Sequence, residues 1–451
     1  MRGAIVMAGI AISRSAVLPA LAGVAVLLVV GGVVLRRHRP PAPAPISAPP
    51  RPPVVPPLHW TADNLRRLLA AIDGARLEGL RPSDYRRDDV SAAIAAPRTD
   101  AATDALATQA AQALARDYSD GHIHKRARFD WHIARAPVAP ATLDADLRGA
   151  VERGTLEDYL GGLLPTDPRY VALRTALHDT PAGEPQRIAH IRASMERWRW
   201  MPRTLGDDYV WVNVPTYRLA LMHGQGVVAS HVVVVGAAKT PTPMLSARIG
   251  SIIVNPWWTL PPTVLAEGKR YSPARGFVTV TIGGKAYVRQ KPGPDNALGR
   301  LKIDMPNPYA IYLHDTPAKW AFGKPERALS HGCIRVQGIA ALAGELTRPD
   351  TIAGAMADLT TRTLQMQTGI PVYIVYFTAA PDADGQVVTY GDPYDRDAQL
   401  IAALDGDRGY RRADSTVPTK RSSLTPKRNS ATNGADAEPE RAANPGTNAT
   451  Y

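Results

Sequence analysis

The chain has 451 residues, a formal net charge of +12 and a hydrophobic fraction of 45%. That length leaves room for roughly two or three domains, and the apolar content suffices for a folded core. The lysines and arginines are spread along the chain without interleaved aromatic residues, which argues against nucleic acid as a partner. Anionic lipid or an anionic cell-wall polymer would suit the basic charge equally well. A single cysteine excludes an intramolecular disulfide.

The N-terminal region predicts a membrane anchor and a stiff spacer. Residues 16–35 are twenty consecutive uncharged residues, which is long enough to span a bilayer, and no clean signal-peptidase site follows them. We therefore expect residues 1–39 to be a signal sequence that stays as an uncleaved anchor, although the flanking arginines leave its orientation ambiguous. Residues 40–57 hold ten prolines in eighteen positions and predict a polyproline-type linker.

Residues 58–200 predict an α-helical domain. Its first helix has an apolar stripe at the i, i+3, i+4 and i+7 spacing, formed by Leu65, Leu68, Leu69 and Ile72. The last helix should end before Pro202, because proline cannot continue a helix. This part of the chain therefore predicts a separate helical layer before the strands begin.

From about residue 207 the apolar period becomes that of strands. Runs rich in β-branched residues lie at residues 209–214, 217–222, 227–236, 251–254, 277–282, 309–313 and 371–377. We assign residues 207–380 to a β-rich domain and residues 381–410 to its C-terminal extension. Residues 411–451 are rich in polar residues and proline and predict a disordered tail. The expected fold class is α+β and multidomain.

The only cysteine, Cys333, lies in the stretch ALSHGCIRV at residues 328–336. A free thiol titrates near about 8.5, so a nucleophilic cysteine needs a base and donors for the oxyanion. His331 is two residues away, and His314 ends a predicted strand upstream, so either histidine could stabilise the thiolate as an ion pair. Gly332 permits an unusual backbone angle that lets nearby N–H groups converge. Arg335 could orient the loop or hold a carboxylate.

The residues alone leave other interpretations open. Cys333 could be a small buried hydrophobe, since free cysteine is often buried. His314, His331 and Cys333 could be three zinc ligands, although the His-x-Cys spacing is uncommon and a fourth ligand is not evident. Both histidines could also be structural loop residues held by hydrogen bonds.

The spacing of His314, fifteen intervening residues and SHGC at 330–333 resembles the signature of the L,D-transpeptidases, whose catalytic domain is of the YkuD type. The stretches RQKPGPDNALGRLKIDMPNPYAIYLHDTP and RALSHGCIRV resemble the large YcbB-type branch. Residues 58–200 resemble the scaffold domain of that branch, so the resemblance covers roughly residues 58–405. It implies a β-sandwich catalytic domain with the cysteine on a loop that leads into a helix.

The resemblance also implies residue roles. Cys333 would be the nucleophile and His314 the general base. The backbone around Gly332 would form the oxyanion hole, and the substrate pocket would be shaped by His331, Ser330, Arg335 and Tyr312. We add Trp257 and Trp258 as candidate covers of the site, although core packing explains at least one of them as well. The segment 263–288 is shorter than the corresponding excursion in many relatives. If that excursion is a substrate lid, the lid of this chain is short.

The implied activity is a cysteine acyltransferase that joins peptidoglycan stem peptides through 3→3 cross-links and releases D-alanine. No metal or cofactor is needed. There are two alternatives. One is an L,D-carboxypeptidase, which uses water as the acceptor, and the other is a non-catalytic scaffold protein that binds the cell wall. Because peptidoglycan lies outside the inner membrane, we expect the chain in the periplasm or cell envelope, held to the inner membrane by residues 16–35.

Overall fold

A computed structural model of the chain describes residues 56–95 and 100–406. The anchor at residues 16–35, nearly all of the linker at residues 40–57 and the tail at residues 411–451 lie outside the described residues. Within the described part, none of the helices combines the length and the apolar character that a membrane crossing requires.

The helical region begins at a capped helix and ends at Trp200. Its first helix is preceded by Thr61, whose side chain accepts a hydrogen bond from the Asn64 amide at 3.2 Å. The predicted apolar stripe is confirmed, since three of its leucine and isoleucine side chains are buried and Leu69 packs beside them. The helices are α1 Ala62–Gly74, α2 Arg87–Ala95, α3 Ala101–Asp120, α4 Pro140–Arg153, α5 Leu156–Gly162, α6 Pro168–Asp179 and α7 Pro185–Trp200.

The remaining elements form the β-rich part of the chain, except for β1, which lies between α3 and α4. The strands are β1 Trp131–His132, β2 Asp208–Asn213, β3 Arg218–His223, β4 Gly226–Gly236, β5 Met244–Arg248, β6 Ser251–Val254, β7 Trp258–Thr259, β8 Phe277–Ile282, β9 Lys285–Gln290, β10 Leu301–Asp304, β11 Leu313–His314, β12 Ala328–Ser330, β13 Ile334–Val336, β14 Arg362–Gln365, β15 Pro371–Val375, β16 Ala379–Pro381 and β17 Val387–Thr389. The helices among them are α8 Pro262–Leu265, α9 Ile339–Leu346, α10 Pro349–Ala355 and α11 Arg396–Asp405.

One continuous sheet has the strand order β1-β5-β15-β2-β3-β4-β13-β11-β10-β6-β14, with β12 also on β4. The long strand β4 joins its halves, because its first part pairs with β3 and its last part pairs with β12 and β13. Val210 and Val212 from one half and Leu301 and Ile303 from the other belong to the same hydrophobic core. The expected sandwich is thus made by one sheet whose halves share a core.

The hydrophobic cores do not follow the division between helices and strands. Helices α1, α3, α4 and α5 bury their apolar faces in a core of their own. Helices α6 and α7 instead pack into the core of the large sheet, through side chains such as Leu173, Ile191 and Trp198. Strand β1, which precedes α4, pairs in parallel with β5, so Trp131 lies opposite Met244. The sheet is therefore completed by residues from the helical region.

Residues 257–290, which we term the cover segment, fold as a small unit beside the sheet. Strands β7, β9 and β8 form a separate antiparallel sheet in that order. Its own apolar cluster consists of Leu260, Val264 and Phe277, with Trp258 packed against them. The segment is short, but it has a core that gives it a defined shape.

The prediction of a strand over residues 309–313 is wrong for most of its length. Strand pairing begins at Leu313, and the preceding residues form a loop around the Asn307 side chain. The Asn307 amide donates to the carbonyls of Met305 and Ile311, at 2.5 and 2.7 Å, and its oxygen accepts from the amides of Tyr309 and Ile311. These bonds compete with strand pairing and fix the loop, which has Ala310 at φ 53°.

Candidate active site

Two neighbouring parallel strands bring the predicted site residues together. His314 on β11 lies opposite Arg335 on β13, and the Ile334 amide donates to the Tyr312 carbonyl at 3.1 Å. This register places Tyr312 beside Cys333. Because side chains alternate along strands, the side chains of Tyr312, His314, Cys333 and Arg335 share one face of the sheet.

A lysine that sequence reasoning missed joins the same face. Lys302 on β10 lies opposite His314, and its ammonium lies 4.3 Å from the centre of the Tyr312 ring. Burial raises the pKa of the Cys333 thiol above its ordinary value, because it outweighs the hydrogen bonds from Tyr312 and the charges of Lys302 and Arg335, which all favour the thiolate. The resting cysteine is therefore a neutral thiol at pH 7.

His314 is buried, with 6% of its surface exposed. Burial lowers the pKa of His314 to about 3, and the charges of Arg335 and Lys302 act in the same direction. Its Nδ1 lies 2.5 Å from the Asp315 carbonyl oxygen and must donate there, which leaves Nε2 as the unprotonated nitrogen. The expected thiolate–imidazolium pair is therefore not the resting state, and a neutral imidazole stands ready to accept a proton.

Tyr312 connects the nucleophile to the cover segment. Its hydroxyl interacts with the Cys333 thiol and with the Trp258 side chain, and burial raises the pKa of Tyr312 well above its ordinary value. Its ring meets that of His314 edge to face at 5.6 Å. Of the two candidate covers, Trp258 thus reaches the site, whereas Trp257 packs against the Arg289 guanidinium at 4.9 Å.

The loop that carries Cys333 is closed by Ser330. The Ser330 hydroxyl donates to the Cys333 carbonyl at 2.6 Å and accepts from the Gly332 amide at 3.1 Å. Gly332 has a φ of 115°, a conformation that side chains disfavour. The Gly332 amide is thus already bonded, whereas the Cys333 amide has no partner among the residues that the structure describes and is free to donate.

The thiol itself faces the loop built by Asn307. Cys333 Sγ lies 3.6 Å from the Ala310 carbonyl oxygen, and the thiol donates a hydrogen bond to that oxygen. Sequence reasoning did not find this contact, because it depends on the turn before β11.

His331 faces the cover segment. Its Nε2 bonds the carboxylate of Glu267, which follows α8, and 45% of the His331 side chain is exposed. Hydrogen bonds from Lys269 and His331 lower the pKa of Glu267, so this carboxylate is charged at neutral pH. His331 thus joins the cysteine loop to the cover segment, a contact that neither stretch of sequence signals by itself.

A zinc site would need the side chains of His314, His331 and Cys333 to converge on one point. Across residues 56–95 and 100–406, no group of three or more His, Cys, Asp or Glu side chains is arranged to hold a metal ion. His314 and Cys333 share a sheet face, while His331 turns toward Glu267.

Comparison with known proteins places this site in a family. Residues 207–374 match the L,D-transpeptidase catalytic domain model of the YkuD family, and residues 57–177 match the model of the scaffold domain. A curated Haemophilus influenzae protein, named as a candidate L,D-transpeptidase, is 27% identical over 295 residues. That match takes in 57% of this chain and 59% of the relative, so the chain spans about three fifths of the relative's length.

Solved structures give partial matches. An L,D-transpeptidase from Mycobacterium smegmatis is 14% identical over 37% of this chain and 58% of its own, with a TM-score of 0.21. The catalytic domain of an Enterococcus faecium L,D-transpeptidase is 18% identical over 37% of this chain and 96% of its own, with a TM-score of 0.19. The two family-model matches, rather than these structures, show that the chain carries an L,D-transpeptidase catalytic domain of the YkuD family at residues 207–374, behind a scaffold domain at residues 57–177.

Proposed function

We propose that the chain is a peptidoglycan L,D-transpeptidase that forms 3→3 cross-links through a thioester on Cys333. The observation that carries the proposal is the shared sheet face of Tyr312, His314, Cys333 and Arg335, inside a domain of this family. A nucleophile, a neutral base and fixed cations on adjacent strands are the parts that acyl transfer needs.

The first half of the reaction forms the acyl-enzyme. The Cys333 sulfur attacks the carbonyl that links the third stem residue to the terminal D-alanine, and its proton passes to His314 Nε2. The Cys333 amide donates to the resulting oxyanion. The carbon–nitrogen bond then breaks, and His314 returns the proton to the departing amine of D-alanine.

The second half transfers the acyl group. The amine of a second stem attacks the thioester, His314 takes up its proton, and the carbon–sulfur bond breaks to restore the thiol. Lys302 and Arg335 favour the anionic sulfur as it leaves. Because imidazolium is disfavoured by burial and by these cations, the proton should stay on His314 only briefly.

Aminolysis must compete with hydrolysis, so the site needs protection from water. The cover segment supports this role, since Trp258 contacts Tyr312 and Glu267 bonds His331. A closed cover favours transpeptidation over the carboxypeptidase alternative, in which water would be the acceptor. An amine from a protein lysine is the alternative acceptor, and it would attack the same thioester.

A product assay tests this proposal. The purified chain and its Cys333→Ala variant are incubated with disaccharide-tetrapeptide, and the products are identified by mass spectrometry. We expect a dimer that has lost one D-alanine, formed by the wild type alone. Tripeptide without dimer would favour the carboxypeptidase, and the lack of any Cys333-dependent product would favour the wall-binding scaffold.

We also propose a periplasmic or cell-envelope location, because peptidoglycan would be the substrate. Anchoring to the inner membrane by residues 16–35 remains a proposal that rests on the apolar sequence alone. Fractionation of cells that express the full chain, and of cells that express a chain lacking residues 1–39, would test it. Membrane association that persists without this segment would contradict the proposal.

A further inference from the structure

We propose that Tyr394, in the C-terminal extension and outside the matched catalytic domain, is a positioning residue for the cysteine loop. This inference deepens the proposed function and rests on it for the catalytic consequence. The contact is made through Thr242, a fully buried residue on the turn that follows β4. The chain of hydrogen bonds runs from Tyr394 through Thr242 to Gly332, the residue before the nucleophile.

The hydroxyl of Thr242 joins two backbone segments. Its oxygen accepts from the Gly236 amide at 2.8 Å, so its proton must go to the Gly332 carbonyl, which lies 2.7 Å away. The same turn holds Ser330, because the Ala237 amide donates to the Ser330 carbonyl at 2.8 Å. The cysteine loop is thus braced on both sides of His331 by one turn.

Tyr394 holds that turn from the outside. Its hydroxyl accepts from the Thr242 amide at 3.2 Å, which directs its own proton to the Gly236 carbonyl at 2.6 Å. Gly236 is closely surrounded, since a Cβ there would lie 2.2 Å from the Thr240 carbonyl oxygen. A turn this tight transmits a displacement of Tyr394 to Gly332 because its atoms have little room to adjust.

Tyr394 is itself anchored by two neighbours, Tyr376 and Arg396, and the second of these is linked to the helical region. The ring of Tyr394 stacks on that of Tyr376 at 5.6 Å, and the Arg396 guanidinium lies 5.0 Å from the centre of the Tyr394 ring. Arg396 pairs with Asp130, which also bonds His132 Nε2 at 2.8 Å. Residues outside the catalytic domain therefore support the nucleophile from the helical region and from the C-terminal extension.

A second contact reaches the thiol from the same scaffold residues. The ring of His132 lies 4.5 Å from that of Tyr309, which is next to Ala310. The Ala310 carbonyl accepts from Cys333 Sγ. Asp130 and His132 are thus linked to Cys333 by two routes. One runs through Arg396, Tyr394 and Thr242 to the backbone at Gly332, and the other runs through the loop at Ala310 to the thiol.

The test uses Tyr394→Phe, which removes one oxygen and keeps the stacked ring. Tyr390→Phe is the matched control, because its hydroxyl lies in the same extension and makes no bond to the turn. Hydrogen–deuterium exchange is followed in peptides covering residues 236–242 and 328–336, together with kcat and KM for cross-linking. We expect at least about fivefold faster exchange in both peptides and about a tenfold lower kcat with little change in KM, since small misplacement of a nucleophile is costly.

Variants of Thr242 distinguish positioning from general stability. Thr242→Val should reproduce the effects of Tyr394→Phe. Thr242→Ser, which keeps the hydroxyl, should retain nearly wild-type exchange and kcat. Wild-type exchange and kcat in Tyr394→Phe would overturn the proposal, and so would equal changes in Tyr390→Phe. If no cross-linking occurs but the exchange pattern holds, the proposed function fails and the positioning role stands.

Discussion

At Cys333 and His314, burial decides the protonation of both side chains. The cations of Lys302 and Arg335 favour a thiolate, yet desolvation raises the pKa of the thiol. The same cations and the same burial lower the pKa of the imidazole. The chemistry therefore depends on a proton transfer that occurs during attack, from a neutral thiol to a neutral base whose tautomer is fixed by the Asp315 carbonyl.

This arrangement predicts a stability difference with pH. The unfolded imidazole titrates near about 6.5, whereas the folded one has a pKa of about 3, so the unfolded state binds more protons between these values. Because of His314, the unfolding free energy of the wild type should fall by about 3 kcal/mol as the pH is lowered from 7 to 4. His314→Gln should remove this contribution, so the wild type should lose that much more than the variant in urea unfolding. Equal pH dependence of the two proteins would contradict the buried neutral histidine.

Among the elements, the loop before β11 shapes the site most directly. Asn307 replaces strand pairing with bonds to its own loop, and that loop presents the Ala310 carbonyl to the thiol. On the other side, the cover segment bonds the cysteine loop through Glu267 and His331. Short irregular pieces thus complete a site whose rigid frame comes from β11 and β13.

Asn307→Ala should loosen the loop without disturbing the sheet. The variant loses the side-chain bonds to three loop residues, which should lower the unfolding free energy by about 1–2 kcal/mol and kcat by about tenfold. Asp382→Ala is the control, because Asp382 organises a comparable turn by accepting from the Asp384 and Gln386 amides, in a hairpin away from the site. A kcat reduced equally in both variants would contradict a specific role for Asn307.

The elements also show what the sequence could predict. The motif around Cys333, the strands β6 and β8 and the end of α7 at Trp200 were predictable, because they depend on local periodicity or on a specific motif. The loop at Asn307 was not, since one asparagine side chain overrides an apolar run that reads as a strand. The partner of His331 was also hidden, because Glu267 is brought there by the folding of the cover segment.

At the scale of the whole molecule, helices α6 and α7 of the helical region belong to the core of the large sheet. Arg169, at the start of α6, forms two bonds to the Asp167 carboxylate, and its guanidinium lies 4.9 Å from the centre of the Trp198 ring and 4.4 Å from the centre of the Trp211 ring. It also donates to the Tyr209 hydroxyl at 3.0 Å. One side chain therefore joins α6, α7 and β2.

Arg169→Ala should weaken this junction. Loss of the stacked cation and its hydrogen bonds should lower the unfolding free energy by about 2–3 kcal/mol in urea, because the aromatic rings lose a buried partner. Arg66→Ala is the control, since Arg66 is exposed and pairs only loosely with Asp63 at 3.8 Å. If Arg169→Ala and Arg66→Ala unfold at the same urea midpoint, the junction contributes little stability and the prediction is wrong.

The central claim is that Cys333 forms the acyl bond. The most direct measurement incubates the chain with a tetrapeptide donor whose side-chain amine is blocked, so that it cannot serve as acceptor, and locates any adduct by mass spectrometry after digestion. We expect the mass of the donor minus D-alanine on the peptide of residues 328–335, and none in Cys333→Ala. An adduct on another peptide, or no adduct while product still forms, would contradict a thioester on Cys333.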